Sequence, residues 1–352
     1  MKKRILYLDI LKIIAIFCVV YTHLVLLGTG WLDHFTNVAT YIGVPIFFMV
    51  NGALVLNKPG FHLKKHLLKT GHIFLMFGCW KFIMVFVCEI VFREPLFPWK
   101  SAKEFLNYMV GYQTTYHPTE AFWFVVALLQ IYLTVPMIKH VYDSGQDGLL
   151  KYVCILLFCF SFLPRTLSHL FEIAEVEVMD FTVWDIYRPF GTYANHLLFF
   201  ILGGVFHRRY YIERKTEHHI RKKCLLGIAV NVVLLYVIKG CTNGFCGDSY
   251  NGIPGYSMIP TLLASCSLFV LCAATMKERN LPKVGRMVGE NTFCIYILHL
   301  LIGRIVSSFF YSYIPWRGVL VNTIKCIVLI TISALLGQVM RKIPVLKNLT
   351  KL

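Results

Sequence analysis

Residues 6–27 read LYLDILKIIAIFCVVYTHLVLL, and the fold follows from this stretch. Roughly 20 mainly apolar residues are what a helix needs to cross a bilayer. Three ionisable side chains interrupt the run. Asp9 and Lys12 are three apart, so they share a helix face and pair there. His23 follows Lys12 by three turns plus roughly 20°, which returns it to that face about 16 Å along the axis. One stripe therefore carries an ion pair at its inner end and a histidine at its outer end. Ionisable groups at membrane depth are costly, and by default they mark function.

Working outward, similar apolar windows recur near 5–27, 35–56, 73–92, 121–142, 149–164, 190–207, 224–240, 257–276, 291–312 and 319–340. The expectation is an all-α polytopic membrane protein with about ten transmembrane helices. No signal-peptide cleavage pattern precedes the first window, and Asp9 and Lys12 interrupt its inner half, so it reads as a retained helix. The composition agrees. Of 352 residues 57% are hydrophobic and 15% charged, and the mean hydropathy is +0.64. A soluble domain carries about 25% charged residues, so a water-soluble enzyme is excluded, and so is a nucleic-acid-binding or disordered chain.

The formal net charge of +17 is explained by topology. With the N-terminus inside, 24 of the 35 Lys and Arg fall on cytoplasmic segments and 7 on outer ones. Positive charge concentrates on the cytoplasmic side of membrane proteins. This places both termini in the cytoplasm. The longest outer loops are about 93–120 and 165–189. The second carries Glu172, Glu175, Glu177, Asp180 and Asp185; it is either an ordinary translocated loop or a lid over a substrate.

Most of the 12 cysteines lie in apolar windows, where Cys behaves as a small apolar residue. No CxxC pair occurs, so no metal site is expected. Cys241 and Cys246 share a predicted outer loop, KGCTNGFCGD, where a disulfide would form in an oxidising compartment. Other windows add polar candidates: Asn51-Gly52 in the second, Lys81 and Glu89 in the third, and Trp123, Gln130 and Tyr132 in the fourth. Tyr193, Asn195 and His196 stand in the sixth, Asn291, Tyr296, His299 and Arg304 in the ninth, and Lys325 in the tenth.

Six stretches, in order, resemble acyltransferase family 3 of integral-membrane O-acyltransferases. They are Arg4, Leu8-Asp9, Lys12 and His23; VPIFFMVNG (44–52); KKHLLK (64–69); FWFVVALLQIYLTVPMI (122–138); FFILGGVFHRR (199–209); and GENTFCIYILHLLI (289–302). They cover most of residues 1–352, read as one transmembrane domain. Four residues depart from the family pattern. Lys12 stands for the usual Arg, His66 and Lys69 for an Arg-x-x-Arg linker, and Asn51 for Ser.

The resemblance implies a multi-pass protein of a bacterial inner (cell) membrane. It would move an acyl group, usually acetyl, from cytoplasmic acyl-CoA to a hydroxyl of a cell-surface or exopolysaccharide glycan or its lipid-linked precursor. Acetyl-CoA would be a co-substrate, with no cofactor held permanently. His23 would act as general base on the hydroxyl or be transiently acylated. Asp9 would orient Lys12. Lys12, Lys65, His66 and Lys69 would hold donor phosphate. Asn51, Glu89, Trp123, Tyr296 and His299 are the substrate-binding candidates, some of them as oxyanion donors. The alternative is a polysaccharide exporter or flippase of the same fold, which would leave no alkali-labile ester on the glycan.

Overall fold

A computed structural model describes residues 4–24, 30–93, 101–111, 117–176, 181–215, 217–243, 255–276, 280–313 and 318–350. Its elements are helical throughout. In chain order they are α1 (Leu6–Leu24), α2 (Trp31–Ala39), α3 (Gly43–Leu56), α4 (Leu63–Phe92), α5 (Ala102–Val110), α6 (Trp123–Asp143) and α7 (Asp147–Ser161). Then come α8 (Leu163–Ile173), α9 (Ala194–Phe206), α10 (Ile220–Asn243), α11 (Ile259–Thr275), α12 (Lys283–Tyr313), α13 (Val319–Lys342) and α14 (Pro344–Lys347).

Seven helical stretches among the described residues are long and apolar enough to cross a membrane. The sequence windows near 190–207, 257–276 and 291–312 fall outside that set, each for a visible reason. α9 is 13 residues long and runs into a π-helical turn over His207–Ile212. α11 is apolar but has only 17 residues. α12 has 31 residues and opens on Lys283, Arg286 and Glu290. The window near 149–164 is divided: α7 ends at Ser161, and α8 starts at Leu163 with Pro164 in its first turn. Backbone in hydrocarbon must satisfy its own hydrogen bonds, which helices of this kind do.

The distribution of side chains is that of a membrane protein. α10 exposes Leu225, Leu226, Val230, Val233, Leu234 and Val237, whereas Asp9, Lys81, Lys139, His196, His299 and Lys325 are buried. One connected core joins α1, α3, α6, α9, α11, α12 and α13. α1 lies at its centre, packed on α3, α12 and α13. Thr22 Oγ1 hydrogen-bonds Thr40 Oγ1 at 2.7 Å, which ties the C-terminal end of α1 to the turn before α3.

α3 and α9 cross at very close range. A Cβ on Gly52 would sit 1.7 Å from the Phe200 carbonyl oxygen, and one on Gly203 would sit 2.1 Å from that of Met49. Small residues let helix backbones approach in this way. The close approach expected at Asn51-Gly52 is therefore present, and it is made to the LGG of 202–204. At the far end of this pair, Lys139 Nζ donates to Leu56 O at 2.8 Å and to Asp143 at 2.6 Å. A cation at the end of α3 suits the helix dipole and its unpaired carbonyls.

Both predicted outer loops hold helices. In the first, Ser101 caps α5 by accepting from Glu104 N–H at 3.2 Å, half of a capping box. α5 then covers Lys81, whose Nζ donates to Gly111 O at 2.6 Å and lies 4.3 Å from the Tyr108 ring centre. In the second, α8 packs on α10, and Thr166 Oγ1 accepts from Ile259 N–H. The proposed disulfide partner Cys246 lies outside the described residues.

Candidate functional site

The Asp9–Lys12 pair forms as its spacing predicts. Lys12 Nζ lies 2.6 Å from Asp9 Oδ1, and Arg4 Nε donates to Asp9 Oδ2 at 2.8 Å. The Asp9 side chain is only 6% exposed, so its charge is held by two cations rather than by water. The hydrogen bond to Asp9 in turn raises the pKa of Arg4. Arg4 also pairs with Glu290 on α12, and Glu290 Oε2 lies 3.8 Å from Arg341 Nη1 on α13. Arg341 donates a further hydrogen bond to the Glu290 backbone carbonyl. Three helices thus meet in an alternating chain of charges: Lys12, Asp9, Arg4, Glu290, Arg341.

These charges rim a cavity of about 710 Å³. The first turns of α1 contribute Arg4, Leu8, Asp9 and Lys12, and α3 contributes Phe47, Val50, Asn51 and Leu54. Phe124 of α6 and Tyr296 of α12 close the opposite end. The cavity is cationic and anionic at one end and aromatic at the other. Asn51 Nδ2 donates to its own helix at Phe47 O, 2.9 Å away.

Behind Tyr296 stand the two histidines. The Tyr296 ring packs on His299 at 5.7 Å and on Phe124 at 5.1 Å between centroids, and its hydroxyl donates to Ala121 O. His299 is fully buried, one turn beyond Tyr296. Its ring lies 5.1 Å from that of His23, which is exposed at the end of α1. His299 Nδ1 bonds Tyr296 O, while its Nε2 makes no hydrogen bond among the described residues. A buried ring nitrogen without a partner is costly. Neither histidine lines the cavity; the tyrosine ring separates them from it.

The basic segment 64–69 is not a linker in the structure but the first turns of α4. Proline explains how it is held. Pro136 has no N–H, so the carbonyl of Tyr132, four residues back, loses its helical donor. His66 Nε2 lies 2.7 Å from that oxygen. A carbonyl only accepts, so Nε2 carries the proton. Lys69 Nζ lies 5.3 Å from the Tyr132 ring centre, and the Tyr132 hydroxyl reaches Asn51 Oδ1 at 3.5 Å. Tyr132 is thus the wall between the basic turns of α4 and the cavity. Lys65 is exposed to one side.

Two candidates lie elsewhere. Trp123 joins an aromatic cluster at the N-terminal ends of α6 and α9, with Tyr193 at 6.1 Å, Tyr256 at 5.6 Å and His196 at 5.3 Å. Neither ring nitrogen of His196 has a hydrogen-bond partner among the described residues. Glu89 sits on α4 and does not line the cavity; its Oε2 is buried without a hydrogen bond among the described residues. Among those residues no group of His, Cys, Asp and Glu could hold a metal ion.

A family model for an acyltransferase domain matches residues 5–338, from the first-helix stripe to the end of α13. The chain belongs to acyltransferase family 3. The match spans the motifs on which the resemblance rested, Arg4 excepted, and with the apolar helices it makes this acyltransferase family 3 chain a multi-pass membrane protein. No curated protein and no solved structure matches it.

Sequence reasoning missed Glu290 and Arg341 in this acyltransferase family 3 site. Glu290 stood inside a quoted motif without a role. Arg341 was counted only as a cytoplasmic positive charge. Their pairing joins residues 51 apart in sequence, which no local pattern encodes.

Proposed function

We propose that the protein is an O-acyltransferase that moves an acetyl group from cytoplasmic acetyl-CoA to a hydroxyl of a cell-surface glycan or its lipid-linked precursor. It crosses the membrane ten times, with both termini in the cytoplasm. The observation that carries this reading is one continuous arrangement. A cation-rimmed cavity at the inner end of α1 ends on Tyr296, and the far side of Tyr296 touches the His299–His23 pair. Donor phosphate belongs at the charged rim, with Lys12 and, across Tyr132, His66 and Lys69. The acceptor belongs on the outer side, where His23 is exposed.

The chemistry is direct transfer. His23 takes the proton of the acceptor hydroxyl as the oxygen bonds to the thioester carbonyl carbon. A neutral imidazole suits this task at physiological pH. Asn51, whose Nδ2 keeps a second N–H beyond the one given to Phe47 O, is the donor on the cavity wall for the oxyanion. The tetrahedral centre collapses, the carbon–sulfur bond breaks, and the thiolate takes the proton back from His23. His299 packs against His23 and restricts its ring.

The test uses membranes carrying wild type or His23→Ala, given acetyl-CoA labelled in the acetyl group. Wild type transfers label to the glycan or glycolipid fraction, mild alkali releases it, and the variant at equal expression transfers none. Full transfer by His23→Ala refutes the mechanism. No label with either, and altered glycan export in cells lacking the protein, would identify an exporter instead.

A further inference from the structure

The charged rim holds one group that its protein contacts do not satisfy. Arg341 lines the cavity, its side chain is 21% exposed, and it already contacts Glu290 through Nη1 and a backbone hydrogen bond. Its Nε is buried and makes no hydrogen bond among the described residues. A guanidinium N–H left dry and unpaired needs a partner. Lys12 and Arg4 line the same cavity. The rim carries three cations, Arg4, Lys12 and Arg341, against two carboxylates, Asp9 and Glu290.

The two carboxylates differ. Asp9 is buried and holds both its cations in place, whereas the Glu290 side chain is 42% exposed and bridges Arg4 to Arg341. Glu290 therefore holds two guanidinium groups of the cavity with a weak, solvated anion. A phosphate presents more oxygens and more charge to the same two groups, and a planar guanidinium binds it bidentately, as Lys12 cannot.

We propose that Arg341, with Arg4, forms a phosphate or pyrophosphate site at the inner rim, and that Glu290 occupies it until the ligand displaces the carboxylate. The inference rests on the donor reading above and adds a binding residue from α13, outside the first-helix stripe. Two sources could present this chemistry: the CoA end of the donor, or the pyrophosphate of a lipid-linked acceptor.

The experiment measures binding to the full-length protein in lipid nanodiscs, with CoA as one probe and a polyprenyl pyrophosphate as the other. Arg341→Gln weakens the probe that uses the site by about tenfold, or about 1.4 kcal/mol, and Arg341→Lys by less. Glu290→Gln tightens the same probe severalfold. The opposite signs separate lost binding from misfolding, since both variants lose the same Glu290–Arg341 pair. Which probe responds identifies the source. Unchanged affinity for both probes in Arg341→Gln, with CoA binding lost in Lys12→Gln, overturns this inference and leaves the donor reading standing. Wild type that binds neither probe overturns both.

Discussion

Gly52→Ala adds one methyl group where α3 and α9 cross. That carbon would lie 1.7 Å from Phe200 O, 2.6 Å from its carbonyl carbon and 3.0 Å from its Cα. Ordinary carbon contact begins near about 3.5 Å, so the two backbones must part by roughly 1.8 Å. No side chain can rotate away, because every obstructing atom is main chain. Overpacking a core costs about 1–3 kcal/mol even when side chains adjust, and here the upper end applies. The separation also loosens neighbouring bonds. Asn57 Nδ2 donates to Gly204 O at 3.0 Å, and Tyr142 donates to the same oxygen at 2.9 Å. A loss of about 3 kcal/mol, at about 2 °C per kcal/mol for a large domain, is a fall of about 6 °C in apparent Tm.

The assay is the thermal loss of the monodisperse peak of detergent-purified protein. Gly71→Ala is the internal control: a Cβ there meets nothing within 4 Å, and the position is exposed on α4. It should hold or gain up to about 1 kcal/mol from helix propensity. If Gly52→Ala melts with wild type and with Gly71→Ala, the close α3–α9 crossing is wrong, and so is the position of Asn51 on the cavity wall.

Two further predictions separate chemistry from scaffold. Asp9→Asn removes the carboxylate that holds Lys12 and Arg4, and charge-assisted hydrogen bonds contribute about 1.5–3 kcal/mol; transfer per unit protein should fall about tenfold or more, and unchanged turnover would remove Asp9 from the site. Lys81→Met should do the reverse, since Lys81 is bound to Gly111 O and covered by Tyr108; it should lower the apparent Tm while transfer by the folded fraction stays at the wild-type level, and a fall in that activity would show that Lys81 serves the reaction.

The sequence was most legible where chemistry and period coincide within one helix. Asp9, Lys12 and His23 could be placed on one face because 3.6-residue geometry is local. Tyr296 and His299 stood out as polar groups within the ninth apolar window. The Y-x-x-x-P of 132–136 was quoted as a pattern, yet its meaning needed α4 beside α6, since the freed carbonyl is used by His66. Lys81 read as a functional candidate because its acceptor belongs to the segment after α5. Trp123 read as a substrate contact, but its neighbours come from α9 and the turn before α11. Window counting and helix length part at two of the ten windows. α9 is apolar yet short, and α12 is long yet charged at its start.

Tyr296 has a consequence for permeability. One aromatic ring, hydrogen-bonded through its hydroxyl to Ala121 O, is what lies between the charged cavity and the histidine pair. On the proposed reading, that ring in place would keep water and ions from passing between the two compartments. A single rotation of one side chain changes which atoms face each other across it. On the proposed reading, a two-carbon acyl group would need no wider passage, and donor and acceptor would each stay in their own compartment.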